Sequence, residues 1–152
     1  MSLEDDIGII SRVSLFEDLT QEQLRLLAFG AERLSLTKGR ELYREGQKAE
    51  CGYVVAAGGI VLFRETQRGR QQLGEVGPGM ILGEMALLTE ANRLTSAVAA
   101  RDSQVIRINR SLFRRILEEY PDMAAALHDR LKDRLHGMLV QIGEMEDRFK
   151  AN

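Results

Sequence analysis

Apolar positions along the chain change their spacing twice, and the two changes divide it into helical, strand-rich and helical regions. Ile7, Ile10 and Val13 predict a short amphipathic helix. Thr20-Gln21-Glu22-Gln23 is a capping-box pattern ahead of Leu24, Leu27 and Ala28, and Gly30 supplies the stop. From Gly30 to Gly83 the punctuation is different: eleven of the fourteen glycines fall there, between short runs of β-formers. Those runs are Tyr53-Val54-Val55, Ile60 to Phe63 and Leu73 to Val76, with turns at Gly58-Gly59, Arg68-Gly69 and Gly77-Pro78-Gly79. Leu94 to Ala100 and Val105 to Ile108 continue the strands. Many short strands with close turns predict a sandwich, jelly roll or small barrel.

Past Asn109 the period is helical again. Leu112, Phe113, Ile116 and Leu117 line a short helix that Tyr120-Pro121 breaks, and Pro121 then opens a long one. From Leu131 through Leu135, Met138, Ile142 and Met145 to Phe149 the steps alternate four and three, a coiled-coil seam. Its early turns are expected to pack on the strands and its later turns on a partner helix, giving a homodimer. The expected organisation is one domain over 1–152: N-terminal helices 1–30, a β-roll (double-stranded jelly roll) over 31–109, and C-terminal helices over 110–152.

With 152 residues the chain is long enough for one domain with a real core. Its 44% apolar and 29% charged residues describe an ordinary globular composition. A net charge of −2 supplies no cationic field for nucleic acid or an anionic membrane, so neither DNA nor membrane binding is expected. The single Cys51 excludes an internal disulfide framework and multi-cysteine metal sites, and the cytoplasm is the expected compartment. Cys51 itself is expected to be inert and half-buried. His128 and His136 lie eight apart, where helical metal pairs sit at four, so they are expected to be exposed or seam-flanking. The strand region holds no histidine for a cupin-like metal site, and no Gly-x-Ser-x-Gly is present, so no enzyme chemistry and no cofactor are expected. Arg64, Arg68 and Arg70 read as a solvated hairpin tip.

The candidate chemistry lies in GEMALLTEANRLTS, residues 83–96. If residues 83–88 form one helical turn, Gly83 allows φ > 0 or a close ligand approach, and the amides of Glu84, Met85, Ala86 and Leu87 offer an anion site. Arg93 could reach the same anion with its guanidinium fork. A carboxylate at Glu84 repels a phosphate and makes sense only against donors such as a sugar hydroxyl. Phosphate and ribose on one small ligand mean a nucleotide, and a single arginine without a magnesium-binding acid pair matches one phosphate rather than three.

This stretch resembles the phosphate-binding cassette of the cyclic nucleotide-binding domain family, shared by catabolite activators, regulatory subunits of cyclic-AMP-dependent kinase and cyclic-nucleotide-gated channels. The likeness rests on Gly83-Glu84-Met85-Ala86-Leu87 and on Arg93, nine after the glutamate, and extends over most of the chain. It implies that Glu84 accepts the ribose 2′-hydroxyl, that Arg93 pairs with the cyclic phosphate, and that the Ala86 N–H completes the cradle. Leu94 stands where the family often has Ala, Ser or Thr, and it has no hydroxyl for a guanine; Thr95 follows where alanine is common. Cyclic AMP is therefore expected ahead of cyclic GMP. Met138 and Leu139 occupy the positions where catabolite activators bond the adenine, so base contact there would be apolar capping. The expected function is a regulatory sensor whose C-terminal helix repositions on binding and is read by an effector protein or domain not contained in residues 1–152. The alternative is a family member that binds no nucleotide and serves as a dimerisation module.

Overall fold

The computed structural model describes residues 2–133. They fall into two compact units, one through Ile116 and one from Leu117.

The first unit opens with α1 (Leu3–Ser11), a 3-10 turn at Ser14–Phe16 and α2 (Gln21–Gly30). Both helices begin with a capping box. At α2 the Gln23 N–H donates to Thr20 Oγ1 at 3.2 Å and the Thr20 N–H donates to Gln23 Oε1 at 2.9 Å, as the sequence pattern predicts. At α1, Ser2 and Asp5 make the same exchange, and the Ser2 backbone N–H leads in holding the Asp5 carboxyl below its usual range. Val13 lies past the end of α1, buried.

Ten strands follow: β1 (Glu32–Leu36), β2 (Glu41–Tyr43), β3 (Lys48–Ala49), β4 (Cys51–Ala57), β5 (Ile60–Thr66), β6 (Gly69–Val76), β7 (Ile81–Leu82), β8 (Ala91–Asn92), β9 (Ser96–Ala99) and β10 (Ser103–Asn109). All pairs are antiparallel, in sheets ordered β1-β10-β4-β7 and β2-β9-β5-β6, with β3-β8 as a separate two-stranded ribbon. This is the expected β-roll.

Alternation along the strands assigns the side chains. Cys51, Tyr53 and Val55 of β4 join Val105, Ile60, Leu82 and Ala97 in the core of the roll. Val54 stands opposite Ile106 in the β4–β10 ladder, and both are buried at the alternate positions. α1 lies against β4. Cys51 is thus fully buried at 3% exposure rather than half-buried, because its position in the alternation points inward.

After β10, α3 (Arg110–Glu119) starts without a break. Phe113 and Ile116 are buried on one side of it, and Phe113 meets Phe16 with ring centroids 5.8 Å apart. Residues 121–133 are helical, as Pro121 predicts, and carry an exposed His128. The seam positions Leu135, Met138, Ile142, Met145 and Phe149, and His136, lie outside the described residues. No helix among the described residues is long and apolar enough to cross a membrane, and none of their His, Cys, Asp and Glu side chains gather in threes to hold a metal.

Thr20→Ala removes the hydroxyl that accepts the Gln23 N–H at the start of α2. It should lower unfolding stability by about 1 kcal/mol, read as a lower urea midpoint at unchanged slope.

Candidate functional site

Two short segments deliver the site. In the first, β7 ends at Gly83, which takes φ 74° and ψ 37°, and Glu84–Leu87 then form a single 3-10 turn. The positive φ is the left-handed conformation that suits glycine. Ala86 and Leu87 are buried beneath this turn, Glu84 is half-buried and Met85 is 45% exposed. The Ala86 N–H, expected to be open to an anion, donates instead to the Gly83 carbonyl at 3.0 Å.

In the second segment the β3–β8 ribbon pairs Lys48 with Asn92 and so places Arg93 immediately after a fixed strand. Two further bonds pin the Arg93 main chain. Its N–H donates to Gln47 O at 2.7 Å, and its carbonyl accepts from the Gly46 N–H at 2.8 Å. The chain then bends, leaving Leu94 74% exposed, before entering β9 two residues on. Leu94 and Thr95, expected to begin a strand, instead form this bend. Arg64 donates through Nε to the Leu94 carbonyl at 3.0 Å. One arginine of the solvated β5–β6 hairpin therefore ties back to the cassette.

Among the described residues, the buried polar side chains are Gln23, Arg93, Ser96 and Ser103, and Arg93 alone of these carries a charge. Its Nη2 donates to the Cys51 carbonyl at 2.9 Å and lies 3.4 Å from the Cys51 Sγ. Its Cζ stands 4.3 Å from the Tyr43 ring centroid and 5.5 Å from that of Tyr53, close enough for cation–π attraction. The two rings stack at 6.1 Å. Nη1 is buried and has no hydrogen-bond partner. It lies so close to Gly83 that a Cβ there would come within 2.3 Å of it. A buried orphan donor on a full positive charge is costly, and it calls for an anion.

Arg93, Leu94, Thr95, Gly83, Glu84 and Met85 all line one cavity of about 400 Å3, within the range of small-molecule sites. Its remaining wall is largely apolar, from Leu62, Val76, Ile81 and Leu82, with Tyr43 beside Arg93. Of the predicted positions, Ala86 and Leu87 are near but buried under the turn. Met138 and Leu139 lie outside the described residues. Sequence reasoning missed Tyr43, Tyr53 and the Cys51 carbonyl, since nothing local in the sequence marks a strand residue as the neighbour of a distant arginine.

Gly83→Ala should cost about 1–3 kcal/mol in chemical denaturation, from a strained φ and from the clash with Nη1. In an Arg93→Ala background the penalty should shrink, because the clashing atom is gone while the backbone strain remains.

Burial, followed by a hydrogen bond with Cys51, pushes the Tyr53 phenol up to about 12, and burial raises Tyr43 as well. An unfolded tyrosine ionises near pH 10, so above that value the unfolded chain releases protons that the folded one keeps. Thermal stability should therefore be insensitive to these groups below about pH 10 and fall between about pH 10 and 12. Melting curves across that range should decline less steeply for Tyr53→Phe.

The family profile of the cyclic nucleotide-binding domain matches residues 33–120. The chain is 61% identical to a cyclic nucleotide-binding-like protein from Brucella abortus, whose solved structure superposes with a TM-score of 0.70 over 75% of this chain and 98% of that one. It is 32% identical over 124 residues to the cyclic AMP receptor protein of Thermus thermophilus, covering 78% of this chain and 57% of the receptor. It is also 28% identical over 134 residues to the rat patatin-like phospholipase domain-containing protein 7, covering 88% of this chain but only 9% of that protein. The chain thus spans a minor part of the phospholipase and little more than half of the receptor. With residues 33–120 matched and the cassette folded against a buried arginine, the chain belongs to the cyclic nucleotide-binding domain family.

Proposed function

We propose that the protein is a regulatory sensor of cyclic mononucleotides, cyclic AMP ahead of cyclic GMP, working in the cytoplasm without chemistry of its own. One observation carries the reading: Arg93, which lines a cavity sized for a small ligand, is buried with an unpartnered Nη1 beside Gly83. A cyclic phosphate carries a single negative charge and suits a single guanidinium. Glu84, at the cavity wall, is assigned the ribose 2′-hydroxyl, for which a carboxylate is the stronger acceptor. The base would lie against the apolar wall, and Leu94 offers no hydroxyl to a guanine amino group.

The bond from Ala86 N–H to Gly83 O suggests how binding becomes a signal. For Ala86 to face a phosphate, this turn must re-form around the ligand, so occupancy would favour a second arrangement of the cassette. Met138 and Leu139 are assigned to cap the base, the C-terminal helix moving with them. A homodimer through residues 127–149, and an effector protein or domain that reads the helix, complete the proposal. No DNA contact is assigned to residues 1–152.

A thermal scan with cyclic AMP, cyclic GMP, 5′-AMP and buffer tests the reading. Saturating cyclic AMP should raise the Tm by several degrees, cyclic GMP less and 5′-AMP least. Arg93→Ala should abolish the shift and Glu84→Ala should reduce it. No shift with either cyclic nucleotide, confirmed by the absence of heat in calorimetry, would falsify the proposal.

A further inference from the structure

We propose that Tyr43 is a positioning residue for anion capture: its ring face carries the Arg93 guanidinium and aims the unpartnered Nη1 into the cavity. The inference rests on the nucleotide reading and adds to it a residue outside the cassette. A ring attracts a cation through its quadrupole and supplies no counter-charge, so the guanidinium it holds keeps its full charge for a ligand. At 4.3 Å from the Tyr43 centroid, the Arg93 Cζ is closer to this ring than to Tyr53, whose centroid stands 5.5 Å away. Nη2 is already committed to the Cys51 carbonyl, so ring and carbonyl together fix the plane of the fork, and Nη1, buried beside Gly83, is the arm left without a partner.

The local backbone delivers the ring. The β2–β9 ladder shifts register between Glu41 and Tyr43, and such irregularities re-aim side chains beside functional sites. Tyr43 lines the cavity itself, as does Thr95, two residues after Arg93. A tyrosine that merely filled the core would need neither the place at the cavity nor the guanidinium over its face.

The test is calorimetric titration of cyclic AMP into wild type, Tyr43→Phe, Tyr43→Leu and Tyr43→Met, with unliganded melting curves for each. Tyr43→Phe keeps the ring face and should bind within about threefold of wild type. Tyr43→Leu and Tyr43→Met should each weaken binding about tenfold, the scale of a desolvated cation–π contact. The Arg93 Nε–H resonance of the unliganded protein, ring-shifted in wild type and Tyr43→Phe, should move in the other two. Having two aliphatic variants keeps the comparison available if one melts early. Wild-type affinity from Tyr43→Leu or Tyr43→Met overturns the proposal, as does a loss in Tyr43→Phe equal to theirs. A wild type that binds no cyclic nucleotide overturns the nucleotide reading and this role with it; where wild type binds, the variant ratios judge Tyr43 alone.

Discussion

A guanidinium taken out of water is the constraint around which this roll is arranged. Arg93 is 7% exposed, and an ion so placed costs several kcal/mol unless its donors and its charge are answered. Part of the answer is internal: a carbonyl at one nitrogen and two stacked phenol rings against the plane. The remaining terminal nitrogen, Nη1, is buried without a partner.

The supports for that side chain come from four separate parts of the chain. The turn at 46–47 holds the Arg93 backbone from both sides, the β3–β8 ribbon sets where it begins, β4 contributes the Cys51 carbonyl, and β2 contributes a ring. β4 is the common member, hydrogen-bonded to β10 on one side and β7 on the other. Its alternation sends Cys51 and Tyr53 inward toward the arginine, while Val54 is buried at the alternate position. A one-residue slip of this strand would exchange those sets, so the register that builds the core also builds the site.

Local rules made much of this legible from sequence. The Thr20 box is an i,i+3 exchange, and the Gly83-to-Leu87 turn is contiguous, so both could be read before any tertiary structure. The glycine-punctuated runs located the strands for the same reason. What escaped prediction crosses the fold. The Arg93–Cys51 bond spans 42 positions, and Tyr43 reaches the arginine through a register shift that no period encodes. The two-residue strands β3 and β8 are too short to show alternation at all. Leu94 looked like the start of a strand by its apolarity, yet it is exposed because the chain bends there after Arg93 turns inward. Arg64 is solvated as expected, but its carbonyl partner 30 positions away leaves no mark in its sequence neighbourhood.

Gly52, between the two inward residues of β4, has a quieter consequence. A methyl group there would lie 3.4 Å from Leu87 Cγ and 3.4 Å from the Leu82 carbonyl, so the cassette turn sits on bare main chain at this point. Surfaces that interlock through side chains must separate before they can slide. A leucine resting on a flat stretch of backbone has no such teeth to clear. The turn and the strand meet there as a bearing rather than a gear, with a leucine on one side and bare main chain on the other.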